Sequence, residues 1–190
     1  MALKKNLGSL LVVGLCTALS CALAYLTADP AARLLGLPAL VSLAVLALAV
    51  QWLMFVPAYI AQTEHYYDLT GSATYLVVVW LAVWAAGAGG PGARTLLLAT
   101  LVSIWALRLG SFLFRRVRQS GKDGRFDEIK PDWARFLVAW TLQGVWVFVT
   151  LIAALGISGF QRLRYSLVDL GACLLWALAL GLIVAGVDQF

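Results

Sequence analysis

Long apolar runs separated by short polar breaks recur from one end of this 190-residue chain to the other. A hydrocarbon layer about 30 Å thick takes roughly 20 mostly apolar residues to cross as a helix. Six stretches have that character, at about 7–27, 37–61, 72–88, 93–114, 137–157 and 166–187. No stretch alternates apolar and polar positions long enough for a barrel, and an open sheet in lipid leaves backbone groups unpaired. The pattern predicts an all-α fold: a polytopic membrane helical bundle of about six transmembrane helices, with residues 1–190 as a single transmembrane domain. The one long break is 115–136, dense in Arg, Lys, Asp and Glu.

Composition agrees, since 63% hydrophobic residues, 12% charged residues and a mean hydropathy of +0.92 lie far outside the soluble range. Lys4-Lys5 before the first run and Ala22-Leu23-Ala24 after it imitate a signal peptide. The run of about 20 apolar residues is longer than a signal core of roughly 7–15, so it reads as a span. Cys16, Cys21 and Cys173 fall inside spans, away from the only histidine, His65, so neither a disulfide framework nor a metal site is expected.

Charge sets the orientation. With six spans, one side holds Lys4, Lys5, Arg115, Arg116, Arg118, Lys122, Arg125, Lys130 and Arg135, and the other Arg33, Arg94, Arg162 and Arg164. Basic segments stay in the cytoplasm, so both termini are expected there. The break carrying Glu64, His65, Tyr66, Tyr67 and Asp68 then faces 115–136 on the same side, acidic cluster against basic cluster. Arg115-Arg116-Val117-Arg118 suits a simple anchor on anionic headgroups. Lys122, Asp123, Arg125, Asp127, Glu128, Lys130 and Asp132 alternate in sign, which predicts an ordered loop with internal pairing.

Inside the spans, Arg108 either snorkels to the interface or binds an anion, and it shares a helical face with Ser111 and Arg115. Gln51 and Gln143 need partners on neighbouring helices. Trp133, Trp140 and Trp146 form a stripe suited either to lipid or to one wall of a flat apolar pocket. Gly87-Ala88-Gly89-Gly90-Pro91-Gly92 spells a dinucleotide fingerprint, but it joins two spans and lacks the strand and helix start that such a site requires.

Three segments carry a family resemblance: Phe55-Val56-Pro57-Ala58-Tyr59 through Glu64-His65-Tyr66-Tyr67-Asp68-Leu69-Thr70-Gly71-Ser72, Trp105-Ala106-Leu107-Arg108-Leu109-Gly110 through Gly121-Lys122-Asp123-Gly124-Arg125-Phe126-Asp127-Glu128-Ile129-Lys130-Pro131, and Ala139-Trp140-Thr141-Leu142-Gln143-Gly144-Val145-Trp146. Together they resemble a bacterial family of largely uncharacterised membrane proteins grouped with the steroid 5-alpha-reductases. The resemblance implies a reductase fold in which NADPH enters from the cytoplasm and gives hydride to an activated carbon–carbon double bond of a lipid-like substrate. Hydride addition beta to a carbonyl builds charge on the enolate oxygen, which an acid must stabilise while water is excluded. For that acid Tyr67, or Tyr66, backed by Glu64 is the expected catalytic candidate, with anchoring at the membrane interface as the other reading of the two tyrosines. Arg108, Arg115, Lys122, Arg125 and Asp188 are the expected cofactor contacts, and Gln143 and Trp105 the expected substrate contacts.

The chain departs from that pattern twice. Trp105 stands three residues before Arg108, where the steroid reductases carry a tyrosine, and an indole offers no phenolic proton. Similar proteins also continue past the position of Asp188 into a segment that forms most of the NADPH site, whereas this sequence ends at Phe190. The expectation is the substrate-side part of an NADPH-dependent reductase, incomplete as an enzyme. Two alternatives stay open: a non-enzymatic subunit of a larger membrane complex, and a lipid-modifying methyltransferase. Membrane lipids and a lipophilic substrate are the expected partners, and nucleic acid is not.

Overall fold

The computed structural model describes residues 2–28, 32–85 and 92–159. The chain divides into two units, Met1–Ile157 and Ser158–Phe190. The architecture below is that of the first; the sixth expected span at 166–187, Asp188 and Cys173 lie outside the described residues.

The elements run α1 (Ala2–Thr27), β1 (Arg33–Leu34), β2 (Leu37–Pro38), α2 (Ala39–Ile60), α3 (Tyr67–Trp84), α4 (Ala93–Ser120), a 3-10 turn (Gly124–Phe126) and α5 (Trp133–Gly159). The two short strands pair antiparallel across Leu35 and Gly36, whose φ of 54° and 81° are the left-handed values a two-residue hairpin demands. This ribbon delivers the chain to α2: the Ala39 amide donates to the Ala32 carbonyl at 2.9 Å and the Ser42 hydroxyl to the Leu34 carbonyl at 2.6 Å.

The all-helical expectation holds apart from this ribbon, and the described residues do not confirm all six spans. Among the described residues four helices are long and apolar enough to cross a membrane, at Asn6–Thr27, Ala39–Ile60, Thr95–Ser120 and Trp133–Ile152. The expected span at 72–88 is α3, which begins five residues earlier and draws Asp68, Thr70, Ser72 and Thr74 into its first half. Those polar residues keep it out of the four.

The charged break is also shorter than expected. Arg115, Arg116 and Arg118 belong to the last turns of α4, which stops only at Gly121, a left-handed cap with φ 76°. At the other end Asp132 caps α5, its Oδ1 accepting from the amides of Ala134 and Arg135. The loop proper is 121–132. Apolar character ends at Phe114, but the backbone ladder continues because nothing interrupts it before Gly121.

The core lies where α2, α3, α4 and α5 pack, around Leu43, Leu48, Val78, Val79, Val147, Phe148 and Leu151. Close approach is specific to glycines: a Cβ on Gly110 of α4 would stand 2.5 Å from Ser72 Oγ of α3. Leu11, Leu53, Ile60 and Trp84 remain exposed, as suits helices whose outer solvent is lipid.

Candidate functional site

The α2–α3 connection and the α4–α5 connection meet at one end of the helices. His65 pins them together, its Nε2 donating to the Gly121 carbonyl at 3.0 Å while Nδ1 accepts from Thr63 Oγ1 at 2.6 Å. A carbonyl can only accept, which fixes this tautomer in the neutral ring.

Glu64 is the keystone. Only 3% exposed, it accepts from the Asp123 amide at 2.8 Å through Oε1 and from the Lys130 ammonium through Oε2. Burial pushes its pKa up, but the Lys130 ammonium and the Asp123 amide together outweigh that and hold the carboxyl below its usual range. Asp123, also buried, turns its own carboxylate to the Arg125 amide at 3.1 Å and to the Arg125 guanidinium, with Arg116 at 3.6 Å. The Arg125 guanidinium beside it holds the Asp123 carboxyl below the ordinary value against the opposing effect of burial. Arg125 reaches on to Asp68 at 3.4 Å, and Lys122 pairs with Asp127 at 2.7 Å. Lys122, Asp123, Arg125, Asp127 and Lys130 are thus all held in ion pairs, as the alternating signs predict.

Beneath the charges lies an aromatic floor. The Tyr67 ring meets Phe126 at 4.7 Å and Trp140 at 5.1 Å between centroids, and Phe136 and Phe55 extend the cluster. The Tyr67 hydroxyl donates to the Ala139 carbonyl of α5 at 2.9 Å, and Gln143 Nε2 donates to the Tyr67 carbonyl at 2.8 Å. Gly71 makes room for that amide, because a Cβ there would stand 2.2 Å from Gln143 Nε2. Both intramembrane glutamines find partners on a neighbouring helix, Gln51 through Thr74 Oγ1 at 2.8 Å.

The expected site residues are distributed unevenly. Glu64 and Tyr67 flank one junction, but Glu64 turns to Lys130 and Asp123 and Tyr67 to Ala139. Lys122 and Arg125 sit within the ion-pair network. Arg108 and Arg115 are exposed along one face of α4, and among the described residues neither has an ion-pair partner. Gln143 touches Tyr67, whereas Trp105 packs edge-on to Tyr75 at 5.0 Å. Those two tyrosines are eight residues apart, about 12 Å along α3. Asp188 lies outside the described residues.

Asp68, Asp123, Lys130 and His65 hold the junction, yet sequence reasoning gave them no specific role. Their signal was the alternation of sign and the Asp123-Gly124 turn, but neither names a partner some 60 residues away.

No curated protein and no solved structure matches the chain. A family model described as a protein of unknown function (DUF1295) matches residues 54–189, which takes in both loops, the aromatic floor and every expected site residue. Since that match spans more than half of the sequence, the chain belongs to the DUF1295 family.

Proposed function

We propose that this protein forms the substrate side of a membrane-embedded reductase of an activated carbon–carbon double bond in a lipophilic substrate, with NADPH as the hydride source. One observation carries the reading. The three segments that resemble the steroid 5-alpha-reductase group are far apart in sequence and yet converge: Glu64 bonds Lys130 and Asp123, Tyr67 bonds Ala139, and Gln143 bonds Tyr67.

Bound NADPH would supply hydride. Arg108 and Arg115 suit its phosphates, since they are guanidiniums exposed and without ion-pair partners among the described residues. Lys122 and Arg125 suit it less, because Asp127, Asp123 and Asp68 already hold them. Glu64 and its partners fix the loop pair over the aromatic floor, and Tyr67 carries the one phenolic proton on that floor bonded across to α5. The proposed setting is a bacterial inner membrane with the charged loops and both termini in the cytoplasm.

The test is NADPH oxidation, followed at 340 nm in membranes holding the protein, with lipophilic enones as substrates. Arg108→Ala and Arg115→Ala should raise the NADPH concentration needed, and Tyr67→Phe should lower the maximal rate. No oxidation by the parent with any enone, together with no change of thermal stability on adding NADPH, refutes the reading.

A second reading, a non-enzymatic subunit, is favoured by a different observation. Both oxygens of Glu64 and the hydroxyl of Tyr67 are spent on bonds within the fold, while Trp84 and Trp146 are 73% and 65% exposed. It expects co-purification with a stable membrane partner that Trp84→Ala or Trp146→Ala releases, and indifference to both NADPH and S-adenosylmethionine.

A further inference from the structure

Among the described residues the buried polar side-chain atoms are nearly all paired, some within one helix and some between two. Trp52 Nε1 donates to Thr141 Oγ1 at 3.0 Å, Thr74 Oγ1 donates to the Thr70 carbonyl at 2.7 Å, and the Tyr75 and Thr150 hydroxyls meet at 2.7 Å. Among the described residues three buried side-chain atoms have no partner: Gln51 Oε1, Gln143 Oε1 and Trp140 Nε1.

These three lie in one seam between α2, α3 and α5. Gln51 reaches Thr74, and Gln143 reaches the Tyr67 carbonyl past Gly71, so both amides approach the same side of α3. Gly144 brings α5 against α2, since a Cβ there would stand 3.2 Å from Gln51 Cγ. Trp140 precedes Gln143 by three residues on α5 and its ring flanks Tyr67.

Hydrogen-bond logic fixes which atoms are left over. The Tyr67 carbonyl accepts only, so Gln143 must present its NH2 there and leave its oxygen free. The Thr74 hydroxyl proton is spent on the Thr70 carbonyl, so its oxygen accepts from Gln51, whose own oxygen is again left free. The remainder is two acceptors and one donor, walled from water and from lipid headgroups. Buried polar groups are costly unless paired, and a dry seam lined with them is a place where an ordered polar molecule sits.

We propose that the α2–α3–α5 seam is an internal binding site for an O–H group, which donates to Gln51 Oε1 or Gln143 Oε1 and accepts from Trp140 Nε1. Two sources share that chemistry. A single water offers two donors and lone pairs, the counterpart of two acceptors and one donor. The hydroxyl of a lipophilic alcohol complements one amide and the indole and leaves its apolar body to the neighbouring aromatic floor. A ketone of the same skeleton lacks the donor that the amide oxygens require. The site stands on the leftover atoms alone and does not depend on the cofactor.

The test uses the full chain in lipid nanodiscs. Infrared difference spectra in H2O and H2-18O reveal an internal water as a weakly bonded O–H stretch that shifts with the isotope, and thermal unfolding is followed with cyclododecanol and with cyclododecanone. A saturable rise in Tm with the alcohol and none with the ketone identifies a lipophilic hydroxyl as the occupant. An isotope-shifted band in the parent without any alcohol effect identifies water. Either signal should disappear in Gln51→Leu and in Gln143→Met, made separately so that failure of one to fold leaves the other. Absence of both signals in the parent, or an equal response to alcohol and ketone with no isotope-shifted band, overturns the proposal.

Discussion

Replacing Glu64 by Gln isolates what the buried carboxylate does. The shape is kept and Oε1 still accepts from the Asp123 amide, but an NH2 now faces the Lys130 ammonium where a carboxylate stood. Hydrogen bonds to charged groups contribute about 1.5–3 kcal/mol, and breaking a buried ion pair by removing one partner costs about 3–5 kcal/mol. Lys130 is 15% exposed and has Asp127 at 3.8 Å, so its ammonium keeps a second partner and some water. The expected loss is therefore about 2–4 kcal/mol, below the full penalty. At roughly 2–4 °C per kcal/mol for a chain of this size, Tm should fall by several degrees. Circular dichroism of the detergent-solubilised protein reads this directly, and the Lys130→Met variant with the double variant closes a cycle. Coupling of at least about 1 kcal/mol is expected between residues that share a bond. A Glu64→Gln protein within about 0.5 kcal/mol of the parent, or a double variant that is simply additive, would refute the keystone role.

Acid should loosen the same junction. Glu64 and Asp123 both have folded pKa values below their ordinary 4.5 and 3.8, so their contribution is present at neutral pH and is lost as pH falls through the lower folded values. Unfolding midpoints measured from pH 7 to pH 2 should be flat near neutrality and fall below about pH 4.5, less steeply in Glu64→Gln. Gly71→Ala should drive Gln143 off the Tyr67 carbonyl and destabilise by about 1–3 kcal/mol, visible in thermal unfolding. Tyr67→Phe deletes the bond to the Ala139 carbonyl and should cost about 1 kcal/mol in the same assay. Gly121→Ala forces a Cβ into left-handed backbone and should cost about 1 kcal/mol, read as earlier melting.

Much of the fold was legible because a membrane simplifies the code. Runs such as 39–60 and 133–152 are helical for want of any other way to satisfy a backbone in hydrocarbon, and composition alone reveals them. The ordering of the charged loop was readable too, from alternating signs at Lys122, Asp123, Arg125, Asp127 and Lys130. Helix ends were not: apolar counting stops at Phe114, whereas α4 runs on to Ser120 until Gly121 ends it. The first turn of α3 was read as loop because Asp68 and Thr70 look exposed in sequence, although Thr70 is buried.

The sequence by itself therefore determined the solvent of this protein, its helical class and the place where charge collects, since these follow from the local content of each segment. Only the tertiary structure decided the partners. It joined Glu64 to Lys130 and Asp123, turned Tyr67 toward Ala139 rather than toward Glu64, and separated Trp105 from Gln143 along α3. It also left two amide oxygens and one indole unpaired in a single seam. Pairing is a property of which helix faces meet and of the glycines that let them approach, and no single segment carries that information.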